Sequence, residues 1–266
     1  MNKIIQNKLV YLLLASFLVS IFFFYGCAEK KQENSLSRVK EKGEISFAMS
    51  GGYPPFNFFN DKDELVGFDV DVAREVANRL GVKLKPVTTD WSGIIEGLRA
   101  GAFDGILGSM AVTEERLKVV NFSTPYYYSG AQLLVRKESP YTSPQELKGK
   151  IIGVVTGTTF ENDAKKLGAK DIKLYKDDTQ TLLELNNGVI DAVITDRVVG
   201  VTAMNSGKFN IRLLGSPLRS EDIAVAFRKD DKALLSAVDE IISEMHKDGT
   251  LSKISKKWLN VDVTTK

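Results

Sequence analysis

The sequence contains only one cysteine and one histidine in 266 residues, Cys27 and His246. A single cysteine excludes an internal disulfide and leaves no second thiol for a cysteine-based metal site. A single histidine likewise excludes a histidine-rich metal site. His246 lies in an amphipathic stretch near Gly249, where a solvated or helix-terminal histidine is a more ordinary role than a catalytic one. We therefore expect no metal ion and no other cofactor.

Apart from its N-terminal segment, the chain also has no net formal charge. The chain has 36 Lys and Arg residues and 34 Asp and Glu residues. Lys3 and Lys8 lie in that segment, which has no acidic residue, so the remainder carries 34 residues of each sign. This neutral balance gives no support to nucleic-acid binding. The content of 43% hydrophobic and 26% charged residues is ordinary for a soluble globular protein.

The first 26 residues have the pattern of a secretion signal. Lys3 and Lys8 precede an apolar-to-neutral run over residues 9–25, and Gly26 and Cys27 follow it. A positive start, an apolar middle and a small residue before the cleavage point define such signals. The junction resembles a bacterial lipobox, in which the cysteine is lipidated and becomes the mature N-terminus. We therefore expect lipidation at Cys27.

Two residues depart from the usual lipobox. Phe24 and Tyr25 stand where a leucine followed by a small residue is usual. The alternative is an uncleaved anchor helix, although a run of 17 residues barely spans a bilayer. Both alternatives tether a globular domain outside the cytoplasmic membrane. We expect a signal peptide over residues 1–26, a tether over residues 27–37 and a location in the cell envelope, either in the periplasm or on the outer face of the cytoplasmic membrane.

One spacing of leucine, glycine and aspartate occurs twice. Leu98-x-x-Gly101-x-x-Asp104-x-x-x-x-Ser109 matches Leu185-x-x-Gly188-x-x-Asp191-x-x-x-x-Asp196. In each copy the residues just before the last position have the apolar character of a buried strand. The repeat predicts two similar α/β lobes. Each lobe delivers one polar group at a strand end, Ser109 or Asp196, to a shared cleft.

Hydrophobic periodicity predicts strands and helices along most of the chain. Strands are predicted over residues 45–49, 84–87, 131–135, 151–155, 172–175, 192–195, 211–214 and 222–227. The clearest helices are predicted over residues 69–80, 179–187 and 232–247. Asp69 and Asp71 are expected to cap the first helix, and Ser92 the helix that follows. The expected class is α/β.

Seven short motifs occur in an order and spacing typical of one family. They are Tyr53-Pro54-Pro55-Phe56, Gly67-Phe68-Asp69-Val70-Asp71, Gly101-x-Phe103-Asp104, Thr113-x-x-Arg116, Phe122-Ser123-x-Pro125-Tyr126, Gly157-Thr158-Thr159 and Asp248-Gly249-Thr250. The set resembles the polar-amino-acid substrate-binding proteins of ABC importers, which have the type II periplasmic-binding-protein fold. Each motif alone is weak, but seven in order are specific.

The resemblance implies two Rossmann-like α/β lobes joined by two hinge strands, the arrangement known as a Venus flytrap. The implied bounds are residues 38–130 and 221–262 for lobe 1 and residues 131–220 for lobe 2. The hinge strands are expected over residues 131–135 and 222–227. The resemblance also implies an extracytoplasmic, monomeric binding protein. Such a protein captures an amino acid in the interlobe cleft and delivers it to an ABC permease and ATPase complex.

The resemblance assigns a group of residues to the ligand carboxylate. Arg116 would bind it, assisted by Ser109, by the Ala111 N–H and by the N–H groups of Thr158 and Thr159. From the residues alone, Arg116 fits a solvated surface turn equally well. Ala111 departs from the family, which usually has serine or threonine at this position and so provides a hydroxyl as well.

The resemblance assigns other residues to the remaining parts of the ligand. Asp196 would bind the ligand ammonium, and it also fits the N-cap of the helix that follows. Tyr53 and Trp91 would form walls of the side-chain pocket, with core packing as the alternative for Trp91. Ser50 stands where binders of basic ligands often have an acid, and its hydroxyl provides no ion pair for a cationic side chain.

Two other functions stay open from the sequence. Secreted cyclohexadienyl dehydratases share this fold and many of the motifs, but a dehydratase needs a general acid or base in the cleft. No cleft histidine or cysteine is apparent, and the one strand-end acid that can be placed, Asp196, already has the ammonium role. The sequence therefore favours a binding protein over an enzyme. A sensory module uses the same closing cleft, so sequence does not separate it from a transport receptor.

Overall fold

The computed structural model describes residues 34–266. The predicted signal peptide over residues 1–26, the lipidation site Cys27 and most of the predicted tether lie outside the described residues. Within residues 34–266, no helix combines the length and the apolar character that a membrane span requires.

Strands and helices alternate along the described chain. The strands are β1 (Glu44–Met49), β2 (Gly52–Tyr53), β3 (Asn57–Phe59), β4 (Leu65–Val66), β5 (Lys83–Thr88), β6 (Gly105–Ile106), β7 (Val120–Phe122), β8 (Tyr127–Arg136), β9 (Ile151–Val155), β10 (Asp171–Tyr175), β11 (Ala192–Asp196), β12 (Ile211–Ile223) and β13 (Ala226–Arg228). The helices are α1 (Ser35–Lys42), α2 (Phe68–Leu80), α3 (Ile94–Arg99), α4 (Glu114–Leu117), α5 (Phe160–Lys166), α6 (Asp178–Asn186), α7 (Arg197–Asn205), α8 (Lys232–Lys247) and α9 (Thr250–Leu259). Short 3-10 turns span Trp91–Gly93 and Pro144–Leu147.

The first five-stranded sheet has the order β5-β1-β6-β13-β7. β1 pairs in parallel with β5 and β6, and β13 runs antiparallel to β6 and β7. Helices cover both of its faces, since Phe47 belongs to a core cluster with α2 and α8, whereas Ala48 belongs to one with α3. In agreement with this two-sided covering, every residue of β1 after Glu44 is buried.

The second five-stranded sheet has the order β10-β9-β11-β8-β12. β9 pairs in parallel with β10 and β11, while β8 is antiparallel to β11 and β12. β9 has the bounds that its apolar run predicts, and it is buried from Ile152 to Val155. A third, three-stranded sheet of β2, β3 and β4 precedes α2. It carries Tyr53 on β2.

Two adjacent strands connect the large sheets. β8 and β12 pair from Tyr127–Ile223 to Arg136–Ile211, with a register shift between Leu214 and Arg219. The hinge predicted over residues 131–135 is wrong, because this part of β8 is already paired with β11 inside the second sheet. The ribbon that leaves the first sheet consists instead of residues 127–130 and 219–223. The fold is therefore two α/β lobes joined by two hinge strands, as predicted.

Other predicted boundaries shift in the structure. The strands predicted over residues 211–214 and 222–227 form one long strand, β12, followed by the separate strand β13. The buried strand predicted before Ser109 shortens to Gly105–Ile106. Pairing with β1 is limited to these two residues, so the chain then turns freely toward the cleft.

The caps predicted for α2 and α3 are wrong. Gly67 precedes α2 without a side-chain cap, whereas Asp69 and Asp71 bond to other elements. Ser92 lies inside the 3-10 turn Trp91–Gly93, and α3 also begins without a side-chain cap. The carboxylates near the start of α2 are held by tertiary contacts, which a local capping rule does not include.

Candidate ligand-binding cleft

A cleft separates the two lobes at the ends of their central strands. All nine residues that the sequence proposes for the site line it: Ser50, Tyr53, Trp91, Ser109, Ala111, Arg116, Thr158, Thr159 and Asp196. Most of them lie at the end of β11 or in the segments that follow β1, β5, β6 and β9. Because the carboxyl ends of parallel strands lie at one edge of a sheet, loops that are distant in sequence meet there.

Arg116 lies on the short helix α4, where the Thr113 hydroxyl caps the first turn by accepting the Arg116 N–H at 3.1 Å. Its guanidinium donates to the Ala111 carbonyl at 2.9 Å and to the Gly157 carbonyl at 3.3 Å. It also lies 5.8 Å from the centre of the Trp91 ring. Burial lowers the pKa of Arg116 from its usual range. No acidic side chain of residues 34–266 forms an ion pair with it.

The Ala111 N–H is directed away from the strand with which Ala111 pairs. Ala111 and Ile223 form an isolated antiparallel bridge. The neighbouring Val112 N–H donates to the Asp222 carbonyl at 2.8 Å, which makes Ala111 and Ile223 a non-hydrogen-bonded pair. The Ala111 amide therefore points outward beside the Arg116 side chain, where a ligand carboxylate would need a donor.

Ser109 lines the cleft but donates both of its hydrogen atoms within the protein. Its Oγ donates to Asp69 at 2.8 Å, and its N–H donates to the Tyr126 hydroxyl at 2.9 Å. Its φ of 64° places the backbone in the left-handed region, which is uncommon for a residue with a Cβ. This arrangement differs from the donor role expected of Ser109, because both of its hydrogen-bond donors are used within the protein.

A buried network behind the cleft fixes two of its loops. Asp69 accepts hydrogen bonds from Tyr126 Oη (2.7 Å), Asn57 Nδ2 (2.7 Å) and Ser109 Oγ (2.8 Å). Asn57 Oδ1 in turn accepts from Ser50 Oγ at 3.1 Å. Burial raises the pKa of Asp69 to about 6, although these three donors act in the opposite direction. One carboxyl group thus holds the Ser109 loop directly and the Ser50 loop through an amide.

Of the two threonine N–H groups proposed as donors to the ligand, the one of Thr158 is used within the protein and the one of Thr159 is not. The N–H and the hydroxyl of Thr158 both donate to the Val155 carbonyl, at 3.3 and 2.7 Å. The Thr159 hydroxyl donates to Glu221 at 2.7 Å. The Thr159 N–H has no hydrogen-bond partner within the described part of the chain.

Asp196 is a buried acid at the end of β11, with 1% of its surface exposed. Its Oδ1 accepts the Val198 N–H at 2.6 Å, so Asp196 is the N-cap of α7, as one of the two sequence interpretations predicts. Burial raises the pKa of Asp196 to about 7. No basic side chain among residues 34–266 pairs with it. The charge of its ionised form is therefore not balanced by a cation of the described chain.

Two aromatic rings and one hydroxyl line the first-lobe side of the cleft. Tyr53 stacks on Phe56, with ring centres 5.2 Å apart. Trp91 is partly buried against the core cluster around α3, and it also lines the cleft beside Arg116. Ser50 presents its oxygen between Asn57 and the cleft.

The sequence interpretation missed three further acids that line the cleft, Asp177, Asp178 and Glu221. Asp178 and Glu221 line it with only 5% and 6% of their surfaces exposed. Asp178 follows β10, so the strand-end rule that found Asp196 also applies to it. Glu221 lies on β12 after the register shift and has no comparable sequence signal. Asp196 is therefore not the one acid of the cleft, contrary to the sequence interpretation.

Within residues 34–266, no three His, Cys, Asp or Glu side chains are grouped so that they could hold a metal ion. The acids of the cleft instead occupy separate positions, and each has its own hydrogen-bond partners. The cleft thus combines one unpaired guanidinium with several buried carboxylates. That combination is suited to a small ligand with charged groups of both signs.

The sequence profile of the bacterial extracellular solute-binding proteins, family 3, matches residues 45–261. The chain belongs to this family. The L-cystine-binding protein TcyJ of Escherichia coli (strain K12) is 36% identical to it over 235 residues, which cover 87% of this chain and 88% of TcyJ.

Solved structures agree with the two-lobed architecture. A mutant of ArgBP from T. maritima superimposes with a TM-score of 0.80 at 34% sequence identity, covering 85% of this chain and 99% of that one. The ancestral amino acid-binding protein AncCDT-1, a precursor of cyclohexadienyl dehydratase, gives a TM-score of 0.80 at 33% identity, with the same shares covered. The solute-binding fold expected from the seven motifs is confirmed.

Proposed function

We propose that this protein is an extracytoplasmic receptor that captures an amino acid between its lobes and delivers it to an ABC importer without altering it chemically. The observation that supports this most is that Arg116 and Asp196 line the same cleft. Each carries a charge that no residue of the described chain balances. An amino acid zwitterion supplies the two complementary charges on one small molecule.

The carboxylate end of the ligand would lie against α4. Arg116 would bind it through the guanidinium, and the Ala111 N–H would add a donor from the same lobe. The Thr159 N–H would approach from the other lobe, with Thr158 supporting the turn. Charge-assisted hydrogen bonds of this kind are shorter and stronger than neutral ones. Since the donors belong to both lobes, binding would favour closure.

The ammonium end of the ligand would lie against α7. The Asp196 carboxylate would accept it, and the hydrogen bond from the Val198 N–H keeps that carboxylate oriented. The ligand side chain would then extend between Tyr53 and Trp91, near Ser50. Aromatic rings on either side accommodate aliphatic, planar and cationic side chains alike. The choice of amino acid therefore depends on the polar groups that surround these rings.

The relatives indicate which ligands to test first. TcyJ is named for L-cystine, and a truncated ArgBP from T. maritima has been determined in its arginine-bound form. A thermal-shift screen of the protein with the common L-amino acids and L-cystine tests the proposal. A ligand at 100 times its Kd is expected to add about 2.7 kcal/mol to the free energy of unfolding. Absence of a shift with every amino acid would contradict the proposal.

A dehydratase is the second candidate, and two observations favour it. AncCDT-1 is described as a precursor of cyclohexadienyl dehydratase, and the cleft holds the buried acid Asp178, whose pKa is raised by burial to about 7. A carboxyl group that titrates near neutral pH is suited to acid or base chemistry. Incubation of the protein with prephenate or arogenate, followed by detection of an aromatic product, tests this alternative directly.

We also propose that the protein is anchored by lipid and that its two lobes have the bounds implied by the family resemblance. Lobe 1 comprises residues 38–130 and 221–262, and lobe 2 comprises residues 131–220. Lipid on Cys27 would anchor the monomer to the outer face of the cytoplasmic membrane, facing the permease. Mass spectrometry of the mature N-terminus tests the anchor, since a lipidated Cys27 adds a diacylglycerol mass. An intact N-terminus at Met1 would indicate the uncleaved anchor helix instead.

A further inference from the structure

Three buried carboxylates line the cleft within the described residues. Asp178, Asp196 and Glu221 expose 5%, 1% and 6% of their surfaces. Burial raises the pKa of Tyr53 well above its usual range, and the charges of these three acids and of Asp69 act in the same direction. All three line the same cleft as Tyr53, the residue proposed to border the ligand side chain.

Only part of this negative charge is balanced by neighbouring cations. Glu221 accepts from Arg219 at 2.8 Å, but Arg219 also binds the buried Asp163 at 2.7 Å, so these three residues together carry one negative charge. Lys176 lines the cleft as well, yet it is exposed and pairs with Asp90 on the opposite lobe. Lys176 is thus not a partner for the buried acids.

Asp178 is the acid with the fewest compensating contacts. Its Oδ1 accepts a hydrogen bond from the Thr195 hydroxyl, and no basic side chain of residues 34–266 pairs with it. Its Oδ2 accepts no hydrogen bond from the described chain, and it is not enclosed by protein, so it opens onto the cleft. Asp177 lies beside it and adds a further negative charge.

A bound zwitterion would leave an excess of negative formal charge in the cleft. Asp178, Asp196 and the Glu221 group contribute three negative charges, and Arg116 contributes one positive charge. An amino acid with a neutral side chain adds one charge of each sign and leaves the excess unchanged. Burying an unbalanced charge is unfavourable, so a ligand with an additional positive charge is favoured in a closed cleft.

We infer that Asp178 binds a second positively charged nitrogen of the ligand, and that this receptor selects amino acids with a basic side chain. The inference rests on the proposed function, because Arg116 and Asp196 must first orient the zwitterion. It places the side-chain charge on lobe 2. Ser50, on lobe 1, donates its hydroxyl to Asn57 and provides no anion.

Matched ligand pairs test this inference on the unmodified protein. L-Arginine and L-citrulline have nearly the same shape but differ in charge, as do L-lysine and N6-acetyl-L-lysine. Calorimetry is expected to show tighter binding of the charged member by about tenfold or more, the usual range for a hydrogen bond between charged groups. This comparison depends on no variant, so it remains decisive even if a substituted protein does not fold.

The Asp178→Asn variant then tests whether Asp178 causes the preference for the charged ligand of each pair. It keeps the shape of the side chain and removes its charge, so the ratio of the two affinities within each pair is expected to fall to about threefold or less. Binding of L-citrulline should stay within a few-fold of the parent value. The matched control is Asp61→Asn, since Asp61 is exposed and is not among the residues that line the cleft. It should retain the full preference.

Each outcome separates this inference from the function on which it rests. Equal binding of arginine and citrulline by the parent protein would overturn the basic-ligand class while leaving amino acid capture intact. A preference that survives Asp178→Asn would overturn the role of Asp178. Failure of every amino acid to bind would overturn the proposed function, and with it the inference.

Discussion

The Lys176 ammonium lies 3.0 Å from the Asp90 carboxylate, and this ion pair joins the second lobe to the first across the mouth of the cleft. The lobes also touch nearby at Gly157, where a Cβ would lie 3.1 Å from the Ser92 Cα. Gly157 has a φ of 78°, which a glycine adopts without strain. The two lobes are therefore in contact with each other on at least one side of the cleft.

Removing the ion pair is expected to loosen closure only slightly. Both side chains are mostly exposed, at 71% and 67%, so solvent and salt screen their attraction. Lys176→Ala should weaken ligand binding by a factor of about five at most, through faster dissociation. Stopped-flow dissociation measurements check this, with Lys173→Ala as a control on the same lobe. A loss far beyond this factor would show that Lys176 contacts the ligand itself.

Arg116→Ala is expected to weaken amino acid binding by roughly two orders of magnitude or more. Truncating one partner of a buried, hydrogen-bonded charge pair costs about 2–5 kcal/mol, because the other charge stays buried without a partner. Isothermal titration calorimetry with the best ligand of the thermal-shift screen measures the change. Arg99→Ala serves as the control, since Arg99 is exposed and pairs only with Glu96. Affinity within a few-fold of the parent would remove Arg116 from the site.

Ligand affinity is expected to rise with pH between about 5 and 8. In the empty cleft, burial raises the pKa of Asp196 to about 7, so below that value the carboxyl group must lose its proton to accept an ammonium. Binding at pH 6 should therefore release protons. Calorimetry in two buffers of different ionisation enthalpy detects this release. Asp196→Asn should show much weaker binding without the same pH dependence, whereas a parent affinity that is flat over this range would contradict the assignment.

The stability of the ligand-free protein is expected to fall as pH rises from about 4 to 7. Burial raises the pKa of Asp178 and Asp196 to about 7 and that of Asp69 to about 6, above the unfolded value near 3.9. Between these values the folded state binds more protons than the unfolded state, so the free energy of unfolding decreases with pH. Their contribution is complete below pH 4 and lost above pH 7.

Urea unfolding at several pH values measures this slope. Asp178→Asn should flatten it, because the amide has no proton to lose. Asp248 and Asp262, with pKa values lowered to about 2, act in the opposite direction but only at more acidic pH. An unchanged slope in the Asp178→Asn protein would mean that Asp178 ionises normally in the folded state.

Asp69→Ala is expected to destabilise the fold as well as the site. The substitution leaves the donors on Tyr126, Asn57 and Ser109 without their acceptor, and each unsatisfied buried group costs about 1–3 kcal/mol. Tyr126→Phe keeps the acid but removes one donor to it and the acceptor of the Ser109 N–H, so its effect should be smaller. Chemical denaturation of both variants provides the comparison. Equal losses would show that the three hydrogen bonds do not act through Asp69.

The sequence alone determined the elements that depend on local pattern. The amphipathic stretch over residues 232–247 predicts α8 with its observed bounds, and the apolar run over residues 151–155 does the same for β9. Periodicity and strand-end position are local properties that the order of residues records directly. The strand-end rule also placed Ser109 and Asp196 at one cleft, because parallel strands deliver their ends to a common edge.

Only the tertiary structure decided how the polar groups are used. Asp69 is not a helix cap, because Asn57, Ser109 and Tyr126 reach its carboxyl group from positions 12, 40 and 57 residues away. Asp178 enters the cleft because Thr195 on a neighbouring strand holds its carboxylate. Burial and partner identity set the pKa of such groups, and both arise only when distant segments of the chain pack together.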